Sequence, residues 1–374
     1  MIHTGMLTYS RISKKLMQDL IQLPDTISVE RNIWVNRSRK DDGITLIISC
    51  YRQDKYIFNT VSCRVNFSKL VGKAVTSFSA PDYHAMVLKF NRIMGEFGLP
   101  VFAEWTARRI DYCVDVHTPY VKEYIHLLQK ADIPYYQKIA YNALTKNRSH
   151  GDGSIYLPAK SRDRRSKKTG SMTINFYDKQ DERVKAGSSD EIIAESKGIL
   201  RLEVQCYKPK LNYIKKKYGL DDTRIDSYMQ LDICEEVIEK ALFTICKKGD
   251  YYRRSVALEH INDSNYQAKT KQILTGIVND VSKQKQSIAR ARCKYSDAGM
   301  DRKRFNSYLH KLDDLGINPV MIPDNLKLEG LSYKDGLPNL YDLFIDALEK
   351  EFTGAAGEEW NDEPAVSYTI ETLS

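Results

Sequence analysis

The chain has 374 residues, 42% of them hydrophobic and 28% charged, enough to bury a large core and to form two domains. Its formal net charge of +8 suits a polyanionic partner. Seven cysteines, at 50, 63, 113, 206, 234, 246 and 293, make an odd count without a Cys-x-x-Cys pair. That usage argues against a disulfide framework or a zinc site and for a reduced cytoplasm.

No apolar run is long enough to span a bilayer, and Lys14, Lys15, Asp19 and Asp25 interrupt the first apolar residues, so neither a membrane partner nor a signal peptide is expected. Ile12, Leu16, Leu20 and Ile21 recur at helical spacing. ITLIISCYR and YIFNTVSCRVNFSKLVG then read as strands joined by a polar turn around Asp54. Residues 81 to 97 predict an amphipathic helix opened by Pro81 and ended around Gly95 and Gly98.

In TARRIDYCVDV, residues 106 to 116, Ile110, Tyr112, Val114 and Val116 alternate with Asp111, Cys113 and Asp115. Both aspartates therefore share one strand face, about 13 Å apart along it, too far to grip one ion without a bulge. An aspartate between Ile110 and Tyr112 is costly unless it binds a cation or pairs with Arg108 or Arg109. A helix is expected near 119 to 131. LPAKSRDRRSKKTG, residues 157 to 170, cannot pack and reads as a solvated loop whose Lys160, Arg162, Arg164, Arg165, Lys167 and Lys168 could grip phosphates. MTINFYDK, residues 172 to 179, is a further alternating strand.

Leu200, Leu202 and Val204 alternate with Arg201, Glu203 and Gln205, so Glu203 points to the polar side of a strand. Pro209 opens a short helix with Leu211, Ile214 and Tyr218 at helical spacing, and Lys216 and Lys217 stack on the face of Tyr213. Neighbouring cations favour a phenolate, and a carboxylate beside a reacting phenol makes sense as a ligand of Mg2+ or Mn2+. Beyond 231 the pattern is helical: a helix in DICEEVIEKALFTICKKGD capped by Asp232, a long one over 264 to 292, and another over 301 to 315. The acidic stretch from Phe352 reads as a disordered tail.

RLEVQCYKPKLNY resembles the segment of rolling-circle replication initiators of the Rep_trans type, and of relaxases of integrative conjugative elements, in which an Arg-x-Glu strand precedes the nicking tyrosine. Arg201, Glu203 and Tyr213 fall on those positions, the Arg-Ile-Asp stretch ending at Asp111 is similar to the family's central strand, and Phe-Tyr-Asp-Lys at 176 to 179 is similar to its Tyr-x-Lys strand end. The opening and the C-terminal helices resemble phage and plasmid replication proteins of the gene II/X type. The His-hydrophobic-His pair of the wider superfamily is missing, since His117 has no partner two residues away. The absence of any His-x-x-Arg box lowers the alternative of a tyrosine recombinase.

The resemblance implies an α+β fold, with a mostly antiparallel sheet, helices on one face, and residues 107 to 116, 172 to 179 and 200 to 206 side by side. It implies a catalytic domain over 1 to 230 and an all-helical one over 231 to 351 that recognises origin DNA or mediates dimerisation. The expected activity is a metal-dependent single-strand nick at an origin through a 5' phosphotyrosyl bond, followed by rejoining. A conjugative relaxase with the same chemistry, or an origin-binding protein without it, is the alternative. Tyr213 is the expected nucleophile, assisted by Arg201, Lys216 and Lys179. Asp111, Glu203 and Asp115 are the expected ligands of Mg2+ or Mn2+. Tyr177 and Lys217 join the basic loop as DNA contacts, and the implied partners are single-stranded or hairpin DNA, a second copy of the chain and a host helicase.

Overall fold

Alternating sequence becomes a sheet wherever one face can be covered, and here that rule orders most of the chain. The computed structural model describes residues 2–10, 12–53, 56–73, 75, 82–132, 139–140, 154–159, 170–283 and 287–356. The first part runs β1 (Ile2–Ser10), α1 (Lys14–Gln22), β2 (Thr26–Glu30), β3 (Ile33–Asn36), β4 (Ile44–Gln53), β5 (Tyr56–Asn66), α2 (Phe67–Leu70), α3 (Tyr83–Glu96), β6 (Thr106–His117) and α4 (Val121–Lys130). Next come β7 (Ile139–Ala140), β8 (Ser154–Pro158), β9 (Met172–Asp178), α5 (Lys179–Lys185), α6 (Asp190–Glu195), β10 (Ile199–Tyr207) and α7 (Lys208–Tyr218). The last part is helical: α8 (Leu231–Ile245), α9 (Arg254–Asp263), α10 (Ala268–Ser282), α11 (Ile288–Asp297), α12 (Arg302–Asp314) and α13 (Leu340–Ala356).

The fold is α+β. Among the described residues ten strands form one sheet in the order β2-β3-β4-β5-β1-β6-β10-β9-β8-β7, and every ladder in it is antiparallel. The three strands expected to lie together do so as β6-β10-β9. β10 is central, and Leu200, Leu202, Val204 and Cys206 of one face are buried against helices, as is Phe176 of β9 against Phe344 of α13. α7, α8 and α13 pack against β6, and α4 against β8 and β9, while α5 contacts β9 and β10 and walls the cavity on the other face.

Several elements depart from the sequence reading. IHTGMLTYS mixes polar and apolar residues without a period, yet it forms β1, wedged between β5 and β6, and two register shifts along the β6 ladder explain the lost period. The long helix over 264 to 292 is two helices, because the Ser287 hydroxyl accepts the Arg290 N–H and starts α11 afresh. Asp232 lies in the first turn of α8, where Gln230 is the N-cap. The boundary at 230 falls inside one continuous core, since α8 and α13 pack directly on β6. α13 continues through Phe352 to Ala356, and the rest of the acidic stretch lies outside the described residues. Each of the seven cysteines stands outside any disulfide, and among the described residues no helix is long and apolar enough to cross a membrane.

Candidate active site

The ladder registers assemble the site. They set Gln205 beside Asp111 and Thr173, Glu203 beside Cys113 and Asn175, and Arg201 beside Asp115 and Tyr177. A cavity of about 540 Å³ opens over this face, lined by His3, Asp111, Asn175, Tyr177, Glu203 and Gln205, with Glu182 and Lys185 of α5 contributing to its wall.

The two acids are in different states. Glu203 is 6% exposed. Burial opposes its charge, but hydrogen bonds to Oε2 from His3 Nδ1 (2.9 Å) and to Oε1 from Gln205 Nε2 (2.8 Å), with the nearby Arg201, hold its pKa at about 2. Burial lowers the pKa of His3, the hydrogen bond and charge of Glu203 raise it, and Nδ1 donates to Glu203. Asp111 is pushed up to about 7 by burial and then by the charge of Glu203, although Arg109 Nη2 donates to its Oδ2 at 2.9 Å. Thr4 Oγ1 donates to the same oxygen. Asp111 Oδ1 and Asn175 Oδ1 are both buried with no hydrogen-bond partner among the described residues, and a buried acceptor left in that condition costs about 1–3 kcal/mol.

Tyr177 is half-buried and its hydroxyl donates to Glu203 Oε2 at 3.4 Å. Burial and the charge of Glu203 hold the phenol well above its ordinary pKa, with Arg201 opposing. Lys179 Nζ, fully buried, pairs with Glu182 Oε2 at 2.9 Å and sits 5.8 Å from the centroid of the Tyr177 ring. Burial, followed by Arg201 and Arg183, lowers its pKa to about 8. Because the unfolded value is 10.5, the unfolded chain binds more protons between about 8 and 10.5, and stability should rise with pH across that window. Denaturant titrations should show this rise in the wild type relative to Lys179→Met; parallel pH curves would mean that the ammonium is not destabilised by the fold.

Other expected site residues are placed differently. Both oxygens of Asp115 accept from Arg201, at 2.6 Å from Nε and 2.5 Å from Nη2, so its expected role as a metal ligand is replaced by a bidentate ion pair. Arg201 is fully buried and its Nη2 also donates to the Val75 carbonyl at 2.9 Å, which turns it away from substrate and into the framework. Tyr213 does not line the cavity. α7 buries Leu211 and Ile214 and lies near Cys206, whose side chain is on the apolar face of β10, leaving Tyr213 54% exposed under Lys210. Lys216 is exposed on the same helix, and Lys217 pairs with Glu236 of α8. The loop residues Lys160, Arg162, Arg164, Arg165, Lys167 and Lys168 lie outside the described residues.

The sequence reading passed over His3, Asn175 and Gln205. Asn175 and Gln205 share strand parity with Tyr177 and Glu203, a signal available from period 2 alone. His3 lies in no periodic pattern. Among the described residues no group of three or more His, Cys, Asp or Glu side chains is arranged to hold a metal ion, so any cation here would draw on amide oxygens too. No protein-family model, curated protein or solved structure matches the chain, and the chemistry of the cavity has to speak for itself.

Proposed function

We propose that this protein nicks and rejoins one strand of DNA, as an initiator of rolling-circle replication, with the cavity over β6, β10 and β9 as its active site. The observation that carries this reading is the meeting of Glu203, Asp111 and the Tyr177 hydroxyl: an ionised carboxylate, a second with an unpartnered oxygen, and a phenol directed at the first. A net charge of +8 suits the polyanionic substrate.

The donor set fits a hard divalent cation. Asp111, Glu203 and the Asn175 side-chain oxygen would hold Mg2+ or Mn2+, for which oxygen ligands are preferred. When bound, the ion would supply positive charge that polarises a phosphodiester and offsets the field of Glu203 on the phenol. Tyr177, rather than the exposed Tyr213, is the nucleophile in this reading because its hydroxyl is in the cavity. Its Oη bonds to phosphorus as the bond from phosphorus to the 3' oxygen breaks, which leaves the 5' end on the enzyme. The phenolic proton passes to solvent, and the 3' oxygen takes one from solvent. Attack by a 3' hydroxyl reverses the step and rejoins the strand.

The test is incubation with labelled single-stranded and hairpin DNA and Mn2+, followed by denaturing electrophoresis and peptide mapping. A covalent adduct on Tyr177 is expected. No adduct on either substrate would leave a DNA-binding protein without the chemistry. A separate readout concerns the cation itself: Mn2+ at a hundredfold excess over its Kd should stabilise the wild type by about 2.7 kcal/mol in thermal melts. Glu203→Gln and Asp111→Asn should lose most of that gain. An equal gain in both variants would place the ion elsewhere.

A further inference from the structure

α7 and α8 meet along a seam whose residues pair in opposite directions. Lys217 of α7 pairs with Glu236 of α8, and Glu236 also pairs with Lys240 one turn further on. Lys240 also lies near Tyr213, one turn back along α7. One turn beyond these, Lys210 holds its ammonium 4.9 Å from the centroid of the Tyr213 ring, and Phe243 follows Lys240 on α8. Lys217 thus meets Glu236 and Tyr213 lies near Lys240, with Lys210 one turn back along α7 and Phe243 one turn on along α8.

Both rings are open, Tyr213 at 54% and Phe243 at 71% exposed. A phenylalanine so exposed on an otherwise well-packed helix leaves apolar area that a ligand can cover. Cations predominate around Tyr213, while Glu239 lies one turn before Phe243 on α8 and accepts from the Tyr341 hydroxyl. Lys210, Lys217 and Lys240 line the seam, Lys208 and Lys216 are exposed on α7 beside it, and Glu236 is already neutralised between two lysines.

We propose that this seam binds single-stranded nucleic acid, with bases stacking on Tyr213 and Phe243 and phosphates running along Lys210, Lys216 and Lys240. Aromatic faces accept any unpaired base, and lysines on either side follow the backbone without reading sequence. A duplex, whose base faces are already stacked, would meet only the lysines. The inference takes its class of partner from the proposed function, but uses none of the cavity residues.

Fluorescence anisotropy of a labelled 15-residue oligothymidylate with the full chain tests it. Tyr213→Ala and Phe243→Ala should each weaken binding about tenfold or more, as loss of one stacked base does. Tyr213→Phe should bind like the wild type, and both alanine variants should melt at the wild-type temperature because the rings are exposed. Lys210→Gln with Lys240→Gln should reduce the slope of log affinity against log salt by about 0.7 for each lysine. An abasic strand of equal length should bind more weakly and be indifferent to Tyr213→Ala. Affinity and slope unchanged in all the variants would overturn the seam, even if an adduct forms in the cavity. Loss of affinity in these variants, with no adduct ever detected, would uphold the seam and remove only the nicking activity.

Discussion

Tyr177→Phe is expected to form no covalent adduct with single-stranded DNA, whereas Tyr213→Phe forms it at the wild-type level. Removing the attacking oxygen of a covalent mechanism costs on the order of 10^4-fold or more. The fold should be indifferent, because the Tyr177 hydroxyl gives up only one long hydrogen bond, 3.4 Å to Glu203. Geometry separates the two tyrosines. Tyr177 stands over the same sheet face as Glu203 and Asp111, while Tyr213 projects from a helix packed near Cys206 on the other face. Adduct lost in Tyr213→Phe and kept in Tyr177→Phe would mean that α7 supplies the nucleophile and that the cavity is not where the strand is cut.

Arg201→Ala should destabilise the protein by about 3–5 kcal/mol, the usual cost of breaking a buried ion pair from one side. Arg201 is fully buried and gives Asp115 two hydrogen bonds, so its removal strands a carboxylate with nothing to replace the guanidinium. Although burial raises the pKa of Asp115, Arg201 more than compensates and keeps it below its ordinary value of 3.8. The stability supplied by this pair is therefore present above pH 4 and is lost as pH falls through the depressed value. Replacing both partners, Arg201→Met with Asp115→Leu, should recover most of the loss, since a well-packed apolar pair carries no desolvation cost. Urea denaturation of the two single variants and the double one measures this. A loss below 1 kcal/mol in Arg201→Ala would show that water reaches the pair, and would return Arg201 to the candidates for substrate contact.

Both expectations rest on parity and register, which were not equally readable. Period-2 alternation is local, because successive strand side chains must point to opposite faces. It placed Asp111 with Asp115, Arg201 with Glu203, and Tyr177 with Lys179 before any tertiary information. For the last pair the rule ran one residue too far: β9 ends at Asp178, and Lys179 opens α5, capped by the Asp178 side chain. The adjacency of the three strands came from the family resemblance and matches the sheet order observed.

What the sequence determined by itself is the periodic elements, such as β6, β9, β10 and α7, and the face each side chain takes within them, since both follow from neighbours a few residues away. Tertiary structure alone decided which faces meet. His3 reaches Glu203 across 200 positions of sequence only because β1 inserts beside β6. Asp115 finds Arg201 because the ladder aligns those two residues, and a register shifted by one would have sent either side chain to the opposite face. Tyr213 follows the helical pattern read for it, outward from Leu211 and Ile214, but the surface on which α7 buries those two residues fixed where outward is. α8 and α13 join the sheet rather than a separate domain for a related reason. The apolar face of β6, β10 and β9 must be removed from water, and a burial requirement shared by segments more than a hundred residues apart leaves no local trace.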